Sequence, residues 1–348
     1  MGQLDQKIDI LVLCAEERFE HPALIDQLER YECSTKRPRT NIDIRLNVDI
    51  YDFKDSCGNV CFSIGINCIH RHDRMSAGLK AYRLLERYNP RAVVLSGTAG
   101  SMAPDQAFHG TVVISRQVDQ ITLDRATSYE HGGERELVTA DRQSMTSTAT
   151  NSWFLNTILD ASNNVSSEDK KLFDPLAYGL LSAEELSVHF NKWRKDSPYS
   201  QEYFSKVEAY VLKNEIPVNK GTFVSSNLLI ADHKLRDAWR RINHDRLCVD
   251  QEAGLISVAV RDYNEHLAAS GKADQQCEFI AIKGIADLSD GYSSSFWMYI
   301  ASANAAAITM GSIFRSIGFI VPMNTNVDQS RVVYLDTHRK QRGSPNLG

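Results

Sequence analysis

A chain of 348 residues, 43% apolar and 24% charged, has the composition of an ordinary globular protein, with room for one large α/β domain or two smaller ones. Its 39 basic against 44 acidic side chains leave a formal charge of −5, which supplies no overall positive field for a polyanion and argues against nucleic acid as a partner. No apolar run is long enough to span a bilayer, and the polar start Met1–Gln6 does not read as a secretory signal, so a cytoplasmic protein with no membrane partner is expected.

In chain order, β-rich runs are expected at Ile8–Leu13, Val60–Ile66, Ala92–Ser96, Thr111–Ser115, Gly221–Ser225 and Phe279–Ile285. Several are nearly continuous in apolar residues, as strands covered on both faces are. Helical patterns run over Met75–Tyr88, where Leu79, Tyr82, Leu84, Leu85 and Tyr88 make a broad face, and over Gly254–Leu267 and Trp297–Ile317. Strand followed by helix, repeated, predicts an α/β fold in three layers, a mostly parallel mixed central sheet with helices on both faces. The rhythm breaks at about 144–220, a polar stretch with a loop at Ser162–Lys171 and helical patterns around Leu181–Trp193 and Ser200–Lys213. It reads as a helical insertion in a domain spanning 1–320, with Trp193, Tyr199, Tyr203 and Phe204 available for assembly or lid closure. Residues 321–348 read as a polar C-terminal tail whose one strand-like run is Val332–Leu335.

The seven cysteines, Cys14, Cys33, Cys57, Cys61, Cys68, Cys248 and Cys277, are odd in number and scattered, which suits reduced thiols. Cys57, Cys61, Cys68, His70 and His72 share one stretch but lack a short CxxC pair, so no metal is expected.

In a sheet of this kind ligands bind beyond the carboxyl ends of the strands. Three constellations occupy such places. Val93–Ser101 runs from a buried strand into the small-residue turn Ser96-Gly97-Thr98-Ala99-Gly100, which is either a tight bend or a place where backbone amides approach a ligand. Val249–Gly254 sets Asp250 and Glu252 at the mouth of an apolar helix; capping accounts for Asp250 better than for Glu252. Ile280–Asp287 delivers Asp287 at a strand end, as a turn cap or as an acid.

Taken in order with Phe223–Ile230 and the run Trp297–Ala306, these segments resemble the purine nucleoside phosphorylase and methylthioadenosine/adenosylhomocysteine nucleosidase superfamily, from Ile8 to about Ile317 with the insertion left out. The resemblance implies the phosphorylase/nucleosidase-like fold, a purine nucleoside or nucleotide substrate, no cofactor and a homo-oligomer. It implies that Asp287 protonates or hydrogen-bonds N7 of the purine, that Glu252 binds the ribose hydroxyls with Gln251 packed on the sugar, and that Thr98, Ala99 and Gly100 border the nucleophile site. Ser225 and Asn227 fall in the base-binding motif, and Leu229 and Ile230 would line the base pocket, Ile230 through its backbone. Here the sequence departs from the pattern, with Ser226 for a glycine and Asn227 for an aspartate.

Breaking an N-glycosidic bond builds positive charge on the ribose and negative charge on the base, so a placed acid contributes about 10²–10⁴-fold. For the nucleophile, the first strand ends Cys14-Ala15-Glu16-Glu17-Arg18-Phe19-Glu20, similar to the nucleosidase form, with Glu17 favoured as the water-activating base and Glu20 and Glu16 as alternatives. Leu95 stands where bacterial hexameric phosphorylases carry a phosphate-binding arginine, so hydrolysis is expected over phosphorolysis, with a non-catalytic purine sensor as the remaining reading. The run His70-Arg71-His72-Asp73-Arg74 is either a solvated loop or, through Arg71 and Arg74, a holder for the phosphate of a nucleotide such as AMP or ATP.

Overall fold

The computed structural model describes residues 7–29, 34–37, 46, 48–54, 57–69, 74–123, 126–131, 134–139, 143–149, 183–211, 216–227 and 229–316. The expected loop at Ser162–Lys171, the tail 321–348, and His70, Arg71 and His72 lie outside them. The strands are β1 (Ile10–Cys14), β2 (Ser34–Lys36), β3 (Asp49–Lys54), β4 (Val60–Cys68), β5 (Ala92–Ser101), β6 (Val112–Leu123), β7 (Ala126–His131), β8 (Glu134–Thr139), β9 (Gln143–Ala149), β10 (Val218–Ser226), β11 (Arg246–Asp250) and β12 (Glu278–Asp287). The helices are α1 (Glu20–Leu28), α2 (Arg74–Tyr88), α3 (Ala183–Asp196), α4 (Gln201–Val211), α5 (His233–Ile242), α6 (Ala253–Ala269) and α7 (Ser295–Ser316).

Alternation along the central strands builds two cores, one on each face of the sheet. Leu11 and Leu13 of β1, Val93 and Leu95 of β5, and Phe279 and Ala281 of β12 pack against Ala81, Leu84 and Leu85 of α2 and Ile256, Ala259 and Val260 of α6. Their neighbours Ile10, Val12, Val94, Ile280 and Ile282 face the other way, onto Ala23, Leu24 and Leu28 of α1 and Ile308, Met310, Ile313 and Phe314 of α7. This is the expected layering of helices on both faces of a sheet.

The sheet is ten-stranded, in the order β11-β10-β6-β12-β5-β1-β4-β3-β2 with β9 beside β6. It is less parallel than the strand and helix alternation predicts. Pairing is parallel where helices carry the crossover, at β1–β4, β1–β5 and β5–β12, and also at β6–β10 and β10–β11. It is antiparallel at β2–β3, β3–β4, β6–β9, β6–β12 and β5–β11. The pairs β3–β4 and β6–β9 join strands close in sequence, where no crossover helix is needed. The last pairing, Cys248↔Ser101 and Val249↔Gly100, closes β5, β12, β6, β10 and β11 into a ring. The carboxyl ends of β5, β11 and β12 thereby meet.

All six expected strands are present, and β5 and β6 run several residues further at their carboxyl ends than expected. The stretch 144–220 holds α3 and α4 where helical patterns were expected, but it also takes in most of β9 and the start of β10. The helical pair is built on aromatic side chains: Leu186, Phe190 and Trp193 of α3 and Phe204 and Val207 of α4 pack with Phe108, Phe296, Trp297 and Ile300. Inside this cluster His109 is fully buried, its ring within 5.9 Å of those of Trp193, Tyr199, Tyr203 and Trp297. Tyr203 Oη stands 2.6 Å from its Nδ1, and burial lowers its pKa to about 3, which keeps the imidazole neutral.

Candidate active site

The turn at the end of β1 leads directly into α1, and the first residue of that helix, Glu20, folds back over the strand it left. Its carboxylate is buried and takes four donors: the amides of Ala15 at 2.8 Å and Glu16 at 3.0 Å on Oε2, and the amide of Thr98 at 2.6 Å and its hydroxyl at 2.8 Å on Oε1. It lies flat on Gly97, where any side chain would overlap the carboxylate and where φ is +153°. The Ser-Gly-Thr-Ala-Gly run, expected as a turn, is the extended end of β5; its first glycine is required by a close approach, but the group approaching is a side chain of the protein. Of the three glutamates weighed from sequence, Glu17 is exposed on the turn, Glu16 accepts the amide of Phe19, and Glu20 is the one buried against Gly97.

Opposite Glu20 sits a residue to which sequence reasoning gave no role. Lys283 of β12 is the cross-strand partner of Gly97 and is 0% exposed. Its ammonium makes no direct hydrogen bond among the described residues, and the one carboxylate oxygen within 4 Å is Asp250 Oδ2, at 3.9 Å. Burial works against its charge, but Glu20, Asp250 and Glu252 together outweigh burial and hold its pKa above the ordinary lysine value. The signal was present in the sequence: Phe279, Ala281, Lys283 and Ile285 alternate on one strand face, so Lys283 is a charge at a core position.

Asp250 ends β11 and accepts the Ala253 amide at the start of α6, the capping role expected of it. Burial raises its pKa, opposed by Lys283 and by that amide. Glu252 is also buried, makes no cap bond, and has its pKa pushed up to about 8: burial is the first cause, and Asp250 and Glu20 add to it against the pull of Lys283. Around neutral pH Glu252 therefore holds a proton, and can both donate and accept a hydrogen bond.

Asp287 ends β12 beside Gly100, its register partner. A Cβ on Gly100 would overlap Ser289 Oγ and stand 2.9 Å from Asp287 Oδ1, so this second glycine of the run makes room for Ser289 and Asp287 together. The same oxygen accepts the Ser289 amide at 2.8 Å. Burial raises the Asp287 pKa, the Ser289 amide opposes this, and the charge of Asp290 adds to the rise. Gly97 and Gly100 are about 10 Å apart along an extended strand, so Glu20 with Lys283 stands at one end of the Gly97–Gly100 run and Asp287 at the other.

The remaining expected residues divide. Thr98, Ala99 and Gly100 lie between the two ends, and Gln251 stands half-buried before Glu252. Ser225 is buried and packs against Gly254 at the start of α6. Ile230 is buried with Met102, Val224, Leu235, Trp239 and Val249. Asn227 and Leu229 are exposed, Leu229 at 78%, at the surface end of β10. Arg74 opens α2, but its side chain and all of Arg71 lie outside the described residues. Among the described residues no group of three histidine, cysteine or acidic side chains is arranged for a metal ion, and no helix is long and apolar enough to cross a membrane.

Comparison with solved structures shows the same fold in distant proteins. Futalosine hydrolase of Helicobacter pylori strain 26695 aligns with a TM-score of 0.51 at 11% identity, over 88% of this chain and 97% of that one. The MTA/SAH nucleosidase of Streptococcus pneumoniae, solved with 8-aminoadenine, gives 0.51 at 10% identity over 88% and 99%. The 5'-methylthioadenosine/S-adenosylhomocysteine nucleosidase of Helicobacter pylori, solved with butyl-thio-DADMe-Immucillin-A, gives 0.51 at 10% over 88% and 98%. A search of curated protein sequences found no match. The sequence profile of the phosphorylase superfamily matches residues 74–317, from the start of α2 to the end of α7 and well over half the chain. The chain belongs to the phosphorylase superfamily.

Proposed function

We propose that this protein hydrolyses the N-glycosidic bond of a purine nucleoside or nucleotide and releases the free base. The observation that carries the reading is the pairing, along Gly97–Gly100, of an acid at one end with a carboxylate and ammonium cluster at the other. Asp287, its pKa raised by burial, is the proton source for the leaving base. Glu252, protonated near neutral pH, exchanges hydrogen bonds with the ribose hydroxyls. The negative charge of Glu20 and Asp250 favours the positive charge that develops on the sugar as the bond breaks.

The same charges favour water over phosphate. An incoming phosphate would enter beside the charges of Glu20 and Asp250, with Lys283 as the one cation placed among them by the described residues. Water meets no such repulsion: it can accept from the unspent donors of Lys283 and give its proton toward Glu20. Of the four donors on Glu20 only the Thr98 hydroxyl can rotate away, and that rotation frees a lone pair of Oε1 for the proton. Arg71 and Arg74 remain candidates for the phosphate of a nucleotide substrate, and a homo-oligomer remains the expected assembly.

The test is chromatographic. The purified protein is incubated with adenosine, inosine, guanosine, methylthioadenosine, AMP and ATP, with and without inorganic phosphate, and free base is measured. Base without phosphate is expected. Base only with phosphate would make the protein a phosphorylase, and binding without release would make it a sensor.

A further inference from the structure

Asp287 stands at the start of a short loop, closed by an isolated bridge between Asp287 and Ser293 and turned tightly at Ser289, where φ is 53°. Two other parts of the chain grip this loop. From α5, Arg236 Nη1 donates to the Leu288 carbonyl at 2.7 Å. From the end of α3 and the turn after it, the Asp196 carbonyl accepts Tyr292 Oη at 3.3 Å, and Ser197 Oγ donates to the same phenol at 3.4 Å. In that turn the Tyr199 phenol reaches Asp290 Oδ1 at 3.5 Å, the oxygen that also takes the Tyr292 amide at 3.1 Å. The Tyr199 ring is itself wedged among Trp193, Tyr203, Phe204, Tyr292 and His109. The aromatic cluster of α3 and α4 thus ends on the loop that carries the proposed acid.

We propose that Asp290 is a positioning residue for Asp287, and that Tyr199 is the side chain through which the α3–α4 pair fixes it. This rests on the reading of Asp287 as the acid. Tied to Tyr199 and to the Tyr292 amide, Asp290 holds the loop in one shape and keeps a second carboxylate beside the first. Two like charges so placed resist joint ionisation, which favours the protonated form of the acid that must give up a proton. The groups around Asp287 leave this effect uncancelled. Arg236 is turned to the Leu288 carbonyl and to Asp237. Tyr199 carries no charge, since burial and then Asp290 push its pKa far above the ordinary tyrosine value. The Ser289 amide favours ionised Asp287, and Asp290 opposes it.

The test uses the full chain with Asp290→Asn and Tyr199→Phe, the nucleoside that wild type cleaves, and kcat and KM measured across pH. Asp290→Asn keeps an acceptor for both donors but removes the charge, so the protonated form of Asp287 persists to a lower pH. The basic limb of its profile should move down by roughly half to one pH unit, with KM little changed. Tyr199→Phe should lower kcat more than KM and speed amide exchange over 287–293. Variants that keep the wild-type limb and turnover overturn the proposal, and faster exchange with unchanged kinetics overturns it equally, leaving a structural tie. A wild type that releases no base from any nucleoside or nucleotide overturns the acid reading instead, so the two failures are distinguishable.

Discussion

Replacing Glu252 by Gln should make the protein more stable above neutral pH while removing activity. The pKa of Glu252 stands near 8 in the folded chain against 4.5 ordinarily. Between these values the folded state binds a proton that the unfolded state has released, so stability falls as pH rises through the window, by up to about 1.4 kcal/mol per pH unit. Summed over the window from 4.5 to about 8, the cost of ionising Glu252 reaches roughly 5 kcal/mol. Glu252 shares Lys283 with Asp250 and Glu20, and a proton gained by one relieves the others, so a single substitution recovers less, about 2–3 kcal/mol. For a chain of this size that is an increase of about 3–4 °C in Tm. The comparison is Tm by calorimetry or circular dichroism for Glu252→Gln and wild type at pH 5 and pH 8.5. The difference should be near zero at pH 5, where Glu252 is protonated in the fold. His109 does not confuse the upper range: its pKa of about 3 against 6.5 costs stability only as pH falls below 6.5. A Tm difference equal at both pH values would refute the reasoning.

Asp287→Ala should lower turnover at least about 10²-fold with little change in Tm; steady-state base release close to wild type would remove it from the acid role. Gly97→Ala puts a methyl group where the Glu20 carboxylate lies, and displacing that carboxylate by about 1 Å should cost on the order of 10²-fold in kcat, read in the same assay. Arg246→Ala breaks a fully buried pair, with Arg246 Nε and Nη2 each 3.0 Å from Asp119 Oδ2 and Nη1 2.9 Å from the Trp239 carbonyl. Urea unfolding should show a loss of about 3–5 kcal/mol, because Asp119 stays buried without its cation. Changing Arg71 and Arg74 together to Ala should raise KM for a nucleotide far more than for its nucleoside, and equal changes would dismiss them as a phosphate contact.

The layers were legible because strands buried on both faces read as apolar runs and the helices between them carry a clear period. The site strands β5 and β12 were legible for the same reason, and Asp287 stands where a reading of strand ends puts it; β11, only five residues long, was not among the expected strands, and Asp250 and Glu252 were found by the helix they precede. What failed to show was structure without an apolar signature. β2, β3 and the β7–β8 hairpin are short or polar, and their pairing comes from edges and turns rather than from a core face. Glu20 was one of three adjacent glutamates on a turn, and nothing local says which will fold back; the choice is made across 78 residues, by the Thr98 amide and hydroxyl. Leu229 read as a pocket residue by motif, yet at 78% exposure it faces outward while its neighbour Ile230 is buried.

Lys283 ties the legible parts to the rest. A lone ammonium with no exposure would ordinarily lose its proton, and three carboxylates gathered without it would ordinarily take up protons. Each stays in place because of the other, at a standing cost in stability that Glu252 carries most visibly. A fold under selection for stability alone would replace the group with apolar side chains of the same volume, which is often neutral or stabilising. Its place at the carboxyl ends of β5, β11 and β12, beside the run where Gly97 and Gly100 leave room for side chains against the backbone, suits the proposed chemistry better than it suits stability.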